Sequence, residues 1–316
     1  MSRPPELPTV TWLLAVRNGL PFLPETLASI EAQTYPNWRI LAWDNGSTDR
    51  TVEVLHRWIP ARLPGRVVAD RPLPLGESRA RLVEESDTEL CAWIDADDVN
   101  APDRLERQVA FLDRHPEVAA VGGQLRVIDA NGLTGGQPVR FPLDDAAIAR
   151  DMLDGPAMAQ PAVLFRRSAV LSVGNYRDVG PVNVEDYDLW LRLAADFRLA
   201  NLDAWVLNYR VHERSTTVQA EENGVLRDAA MQRFAVGAPA LYGCTRRQAQ
   251  LLATRRHPFA LPVLVRIARR LGARSGTSVW STLRSGTFRR AVGRLLAPHD
   301  LATRMTLQAL ARSSRP

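Results

Sequence analysis

The sequence predicts an α/β protein: a mostly parallel sheet with helices on both faces, continued by an α-helical C-terminal extension. Three observations carry this expectation. Short apolar runs alternate with segments of helical periodicity from residue 9 to residue 114. The connections are a few residues long, as in units where a helix crosses between parallel strands. Polar clusters stand at the ends of successive apolar runs, the edge at which open α/β sheets bind ligands.

Residues 9–16 form the first buried strand, and Asn18-Gly19 opens the turn after it. A helix over 23–33 follows, because Leu23, Leu27 and Ile30 recur three or four residues apart. The second strand, 38–43, ends at Asp44-Asn45-Gly46-Ser47-Thr48-Asp49, and a helix over 51–58 and a short strand over 66–69 come next. The proline-rich Arg71-Pro72-Leu73-Pro74 leads into a helix over 77–85. Residues 90–94 are a further buried strand, and a helix over 103–114 starts beside Pro102. Farther on, Gly155-Pro156-Ala157-Met158-Ala159-Gln160-Pro161 precedes an apolar strand at 162–165. Leu189, Trp190, Leu191 and Leu193 belong to a helix packed on the sheet, and Tyr209-Arg210-Val211 ends a strand with His212 at its exit.

The alternation stops at about residue 217, so the expected division is 1–217 and 218–316. In the second part, 221–234 reads as a helix broken by Gly237-Ala238-Pro239, with short helices over 261–271 and 287–296. Charge divides at the same place. No lysine occurs; residues 225–316 hold 17 arginines against two acids, whereas residues 1–224 hold 23 arginines against 33 acids. Net charge bears on partners and not on fold. Arg266, Arg269 and Arg270 share one face of the 261–271 helix. A solvated basic face, a cover over the acidic front part (internally or across a homodimer) and a peripheral contact with an anionic membrane all account for it. Nucleic acid is not expected, since neither a recognised motif nor interleaved aromatics accompany the arginines.

Cys91 and Cys244 are too few and too far apart for a disulfide framework or a zinc site, which suits a reducing cytoplasm. The apolar run at 10–16 is too short for a signal peptide and Arg17 follows at once. The expected location is therefore cytoplasmic, with attachment to the inner membrane face where the basic part supplies it.

The segment Trp93-Ile94-Asp95-Ala96-Asp97-Asp98 carries the chemistry. Strand alternation sends Asp95 and Asp97 to the same side, with only Ala96 between them. Carboxylates so close repel unless a cation or hydrogen-bond donors offset them. A hard divalent ion on the phosphates of a nucleotide would do so. The structural alternative makes Asp98 a helix cap and the other two solvated turn residues. Asn18, Asp44 and Asp95 all fall at strand exits and so share one rim, which favours the ligand-binding account.

Four segments in this order resemble the signatures of family 2 glycosyltransferases: residues 11–18, Asp44-Asn45-Gly46-Ser47-Thr48-Asp49, Asp95-Ala96-Asp97-Asp98, and Glu185-Asp186-Tyr187-Asp188-Leu189-Trp190-Leu191-Arg192. The resemblance spans residues 8–217. It implies the Rossmann-like GT-A fold and inverting transfer of a sugar from a nucleotide-diphosphate donor to a hydroxyl of a glycan or lipid-linked acceptor, in bacterial surface polysaccharide or glycolipid synthesis. It also implies that Ala15, Arg17 and Asn18 line the nucleotide, that Asp44 or Asn45 meets the base, and that Arg79 contacts the nucleotide. Asp95, Ala96 and Asp97 would lie on the diphosphate, with Asp95 and Asp97 holding Mg²⁺ or Mn²⁺ and His212 completing the shell or touching the diphosphate. Asp186 would be the catalytic base and Glu185 the alternative to it. Ala15 and Arg17 stand where many members have proline and an aromatic residue, and Asn45 replaces a frequent second aspartate.

On physical grounds alone, Glu185 and Asp186 also suit the positive end of a helix dipole. Two other classes compete with the enzyme. A catalytically degenerate nucleotide-sugar-binding scaffold is disfavoured because Asp95, Asp97 and Asp186 are all present, and a nucleotidyltransferase because residues 15–22 hold no glycine-rich basic phosphate loop.

Overall fold

The computed structural model describes residues 7–135, 138–180, 184–215, 226–254, 260–278 and 281–282. Its first half follows the expected alternation. Strands β1 (Val10–Val16), β2 (Trp38–Asp44), β3 (Gly65–Ala69) and β4 (Leu90–Trp93) are parallel and lie in the order β3-β2-β1-β4. Helices α1 (Leu23–Glu31), α2 (Thr51–Trp58) and α3 (Leu75–Glu85) make the crossovers. Every residue of β4 is buried, as its unbroken apolar run requires.

The second half is mixed in direction. It contains β5 (Val99–Asn100), α4 (Arg104–Arg114), β6 (Val118–Ile128), α5 (Asp145–Asp151), a 3₁₀ turn at Gln160–Ala162, β7 (Leu164–Arg166), α6 (Arg167–Ser172), α7 (Glu185–Asp196) and β8 (Arg198–Arg210). The sheet continues from β4 as β7-β6-β8-β5, with β7 antiparallel to both neighbours, β8 parallel to β6, and β5 antiparallel to β8. The strand β6 is not apparent from the sequence because Gly122-Gly123 interrupts its apolar pattern. Both glycines answer a close approach: a Cβ on Gly122 would collide with Asn201 Oδ1, and one on Gly123 would lie 2.6 Å from the Val206 methyls.

Strand alternation sorts the core into two layers. Trp12, Leu14 and Val16 of β1 and Ala92 of β4 face α1 and α4, while Leu13, Cys91 and Trp93 face the other way. On that second side lie α3, α5 and α7, together with α8 (Leu226–Tyr242), α9 (Arg246–Thr254) and α10 (Ala260–Ser275). The C-terminal helices thus share one continuous core with the sheet: Phe234, Ala238 and Tyr242 of α8 and Leu264, Ile267 and Leu271 of α10 are buried in it. Arg274 fastens α10 to α5 through Asp145, at 2.5 and 2.7 Å.

The expected break at Gly237-Ala238-Pro239 does not occur. Helix α8 runs through Pro239 to Tyr242. Gly237 packs directly against Leu191, where a Cβ would stand 2.7 Å from the Leu191 Cβ. Pro239 falls in the last turn, so burial of the surrounding face overrides a local preference that costs one backbone hydrogen bond. The expected helix at 287–296 and the start of the one at 221–234 lie outside the described residues. Both cysteines are free and buried.

Candidate active site

The exits of β1, β2 and β4 form one rim, as expected of a parallel sheet. Asn18, just past β1, has a positive φ of 53°, and its side chain and backbone lock the loop after β2. Its Oδ1 accepts from Thr48 N at 2.8 Å, and its own N–H donates to Ser47 Oγ at 2.8 Å. Ala15 is half-buried on β1, and Arg17 is exposed beyond it.

Asp44 and Asn45 do different work. Asp44 is buried; its Oδ2 accepts from the backbone N–H of Gly46 (3.2 Å) and Ser47 (3.0 Å), and its Oδ1 has no partner among the described residues. Asn45 spends its amide on the proline-rich loop, donating to Leu73 O at 2.8 Å and accepting from Leu73 N at 2.7 Å. Of the two, Asp44 alone keeps an unsatisfied acceptor on the rim.

The carboxylate turn departs from the alternation argument. Strand β4 ends at Trp93, and Asp98 N bonds back to Asp95 O at 3.3 Å, so Asp95 to Asp98 form a turn. Each carboxylate therefore meets its own partner. Asp95 continues the side of Cys91 and Trp93 and receives Arg79 Nη2 at 3.4 Å. Asp97 Oδ2 lies 2.9 Å from His212 Nε2. The His212 Nδ1 accepts from Arg214 N at 3.2 Å, which places the proton of the neutral ring on Nε2, facing Asp97. Asp98 caps no helix: it is buried, accepts from Arg210 N at 2.8 Å, and burial raises its pKa well above the carboxylate range.

Arginine 79 is the keystone. It rises from α3, is largely buried, and donates through Nη1 to Glu185 and through Nη2 to Asp95. A single guanidinium thus joins the first turn of α7 to the exit of β4, across 106 residues of chain. Burial opposes its charge, but Glu185 and Asp95 together hold it protonated. Glu185 is only 2% exposed and committed to this pair, whereas its neighbour Asp186 is half-buried, with one oxygen on the N–H of Tyr187 at 2.7 Å. Burial and the adjacent Glu185 charge push the Asp186 carboxyl up to about 7, with Arg79 pulling the other way. Burial likewise brings Asp95 up to about 6 against the pull of Arg79.

Two buried arginines that sequence reasoning did not single out hold the turn in place. Arg210, at the end of β8, donates to Asp97 O at 2.7 Å and Asp129 O at 3.1 Å and pairs with Glu25. Arg104 of α4 donates to Trp93 O (2.9 Å), Asn100 Oδ1 (2.6 Å) and Pro161 O (2.8 Å), binding β4, β5 and the 155–161 loop together. Burial lowers the Arg104 pKa to about 9, and it remains charged at neutral pH. Their sequence signal was a charge at an apolar helix position (Arg104, followed by Gln108 one turn later) and a charge at a strand end (Arg210). The groups able to hold a divalent cation are Asp95 and Asp97; His212 stands beside them with both ring nitrogens engaged, Nε2 on Asp97 and Nδ1 on Arg214 N.

The profile of the family described as Glycosyl transferase family 2 matches residues 11–174, which covers β1 to α6. The chain belongs to this family. Among relatives of this family 2 glycosyltransferase, EpsE of Bacillus subtilis (strain 168) is 30% identical over 213 residues, covering 66% of this chain and 74% of its own length. The O-antigen biosynthesis glycosyltransferase WbnJ of Escherichia coli is 28% identical over 222 residues, covering 68% of this chain and 84% of its own. Among solved structures, the mannosyltransferase PcManGT of Pyrobaculum calidifontis, in complex with GDP-Man and Mn²⁺, superposes with a TM-score of 0.61 at 20% identity, over 98% of this chain and 87% of that one. The S. aureus TarS fragment 1–349 bound to UDP-GlcNAc gives 0.58 at 15% identity, over 91% and 88%. These likenesses bear out the GT-A fold of this family 2 glycosyltransferase.

Proposed function

We propose that the protein transfers a sugar, with inversion, from a nucleotide-diphosphate donor to a hydroxyl of a glycan or lipid-linked acceptor, with Asp186 as the general base. The observation that supports this most is the Arg79 bridge, because it brings α7, and with it Asp186, to the carboxylates at the exit of β4. A carboxyl lifted to about 7 is well matched to accept a proton near neutral pH. Asp186 takes the acceptor hydroxyl proton while that oxygen bonds to the anomeric carbon; the bond to the diphosphate breaks and its electron pair leaves with the nucleoside diphosphate. No covalent nucleophile is needed for one displacement. Glu185 keeps Arg79 and so serves as the orienting partner of the base.

The donor end is assigned to the rim. Asp44, through its unpartnered Oδ1, accepts from an N–H of the nucleobase, and Asn18 with the 44–49 loop it locks forms the nucleotide wall, with Ala15, Arg17, Asn45 and Ala96 alongside. Asp95 and Asp97 supply hard oxygen ligands suited to Mg²⁺ or Mn²⁺. Among the described residues no three His, Cys, Asp or Glu side chains converge to cage an ion unaided, so the diphosphate must complete the shell. When bound, the cation neutralises charge on the departing diphosphate. His212 orients Asp97, and becomes a further ligand only where its Nε2 gives up the proton that it points at Asp97. The relative WbnJ is named for O-antigen synthesis, and this supports a polysaccharide or lipid-linked glycan acceptor.

The test is a panel of UDP-, GDP- and dTDP-sugars, with and without Mn²⁺, read by thermal shift and by release of nucleoside diphosphate. One donor should stabilise the protein in a metal-dependent way, and Asp186→Asn should keep that shift while turnover falls about 10²–10⁴-fold. Near-normal turnover of Asp186→Asn refutes the base assignment, and no metal-dependent stabilisation by any donor refutes the donor site.

A further inference from the structure

We propose that the C-terminal helices carry a membrane-docking patch, in which Arg246 and Arg247 of α9 and Arg266, Arg269 and Arg270 of α10 meet the phosphates of an anionic lipid bilayer. All five are exposed. They are brought together at the turn between α8 and α9. Arg270 Nη2 donates to Ala240 O at 3.1 Å, and its guanidinium occupies the place a Cβ on Gly243 would take. Arg266 and Arg270 both act electrostatically on the Cys244 thiol. The next residue, Thr245, starts α9 by a reciprocal cap with Gln248 (3.2 and 2.9 Å), which fixes Arg246 and Arg247 in the first helical turn beside this pair.

Folding does not call for this placement. Cations in a first turn oppose the helix dipole. Arg266, Arg269 and Arg270, three and four apart, repel one another on α10. The C-terminal helices supply almost no acid of their own, since Asp228 is the only one from residue 226 to residue 282. Several surface acids of the α/β part are already paired with arginines of their own part: Glu31 with Arg62, Glu85 with Arg66, Asp103 with Arg107, Asp203 with Arg140. Asp145 is taken by Arg274. Their pairing makes these four acids poor partners for a second copy of the chain. Nucleic acid is disfavoured because Phe234 and Tyr242 are buried and offer no ring for a base to stack on. A surface of lipid phosphates matches a broad, one-signed arginine patch, and Val236, 46% exposed one turn before Ala240 on α8, adds a shallow apolar contact. No helix among the described residues is long and apolar enough to cross a membrane, so contact of this kind would be peripheral.

The experiment is co-sedimentation of the full chain with vesicles of phosphatidylglycerol and phosphatidylcholine, or of phosphatidylcholine alone, at low and high salt. The variant is Arg246→Gln/Arg247→Gln/Arg266→Gln/Arg269→Gln; Arg270 is spared because it also caps α8. The parent should pellet with the anionic vesicles at low salt only, and the variant should bind about fivefold more weakly for each arginine removed. Its melting temperature and its donor-induced thermal shift should match the parent. Equal pelleting of parent and variant overturns the proposal, as does equal pelleting with phosphatidylcholine alone. A fall in solution mass of the variant without any parent binding to vesicles assigns the patch to a second copy and overturns it too.

Discussion

Replacing Arg79 by methionine tests the bridge between α3, β4 and α7 most directly. The guanidinium is 9% exposed and its partner Glu185 2% exposed, so the substitution leaves a buried carboxylate without its counter-ion. Breaking a buried pair from one side costs about 3–5 kcal/mol, whereas replacing both partners by apolar groups is often close to neutral. With an unfolding entropy of about 2.1 cal/mol/K per residue, a chain of this length loses roughly 1.5 °C of Tm per kcal/mol, so Arg79→Met should melt about 5–8 °C below the parent. The double variant Arg79→Met/Glu185→Leu should regain most of that. The chemistry should respond in a second, separable way. The Arg79 charge holds the Asp186 pKa down, while Glu185 raises it. With Asp186 as the proposed base, which works only when ionised, the parent rate should fall as pH drops through about 7. Removing Arg79 alone moves that acid limb upward; removing Glu185 as well moves it back down. Urea unfolding, calorimetry and a pH profile of kcat on the parent and the two variants measure both effects. A single variant within 1 kcal/mol of the parent, or a double variant no more stable than the single, refutes the account of the bridge, and an unmoved acid limb refutes the link to Asp186.

Asp97→Asn removes one charge from the cation site while its carbonyl can still accept from His212, so donor stabilisation should need about tenfold more Mn²⁺ at unchanged melting temperature of the free protein, as read by thermal shift across a metal titration. Arg104→Met strips the donors from Trp93 O, Asn100 Oδ1 and Pro161 O, and should cost about 3 kcal/mol or more in urea unfolding with the donor affinity reduced in parallel; a loss under 1 kcal/mol counts against its role in holding the carboxylate turn.

The sequence by itself determined the parallel half of the sheet, the order of its crossovers and the gathering of Asn18, Asp44 and Asp95 on one rim. Those features rest on local periodicity and on a rule of parallel sheets, and both are written in residue spacing. It also showed Asp186 and Glu185 together, and only the family resemblance favoured Asp186 as the base, because adjacent acids at a helix start are equivalent until their surroundings are known. Tertiary structure shows how their surroundings differ: Glu185 is buried against Arg79, whereas Asp186 is half-buried. It likewise decided that Asn45 is spent on Leu73, that Asp95 and Asp97 face different partners because β4 ends before them, and that Pro239 stays inside α8. The roles of Arg104 and Arg210 depend on backbone carbonyls and side chains up to 185 residues away in sequence. A buried guanidinium takes its place from whichever acceptors the fold leaves unsatisfied, and no local pattern of residue types records where those acceptors will be.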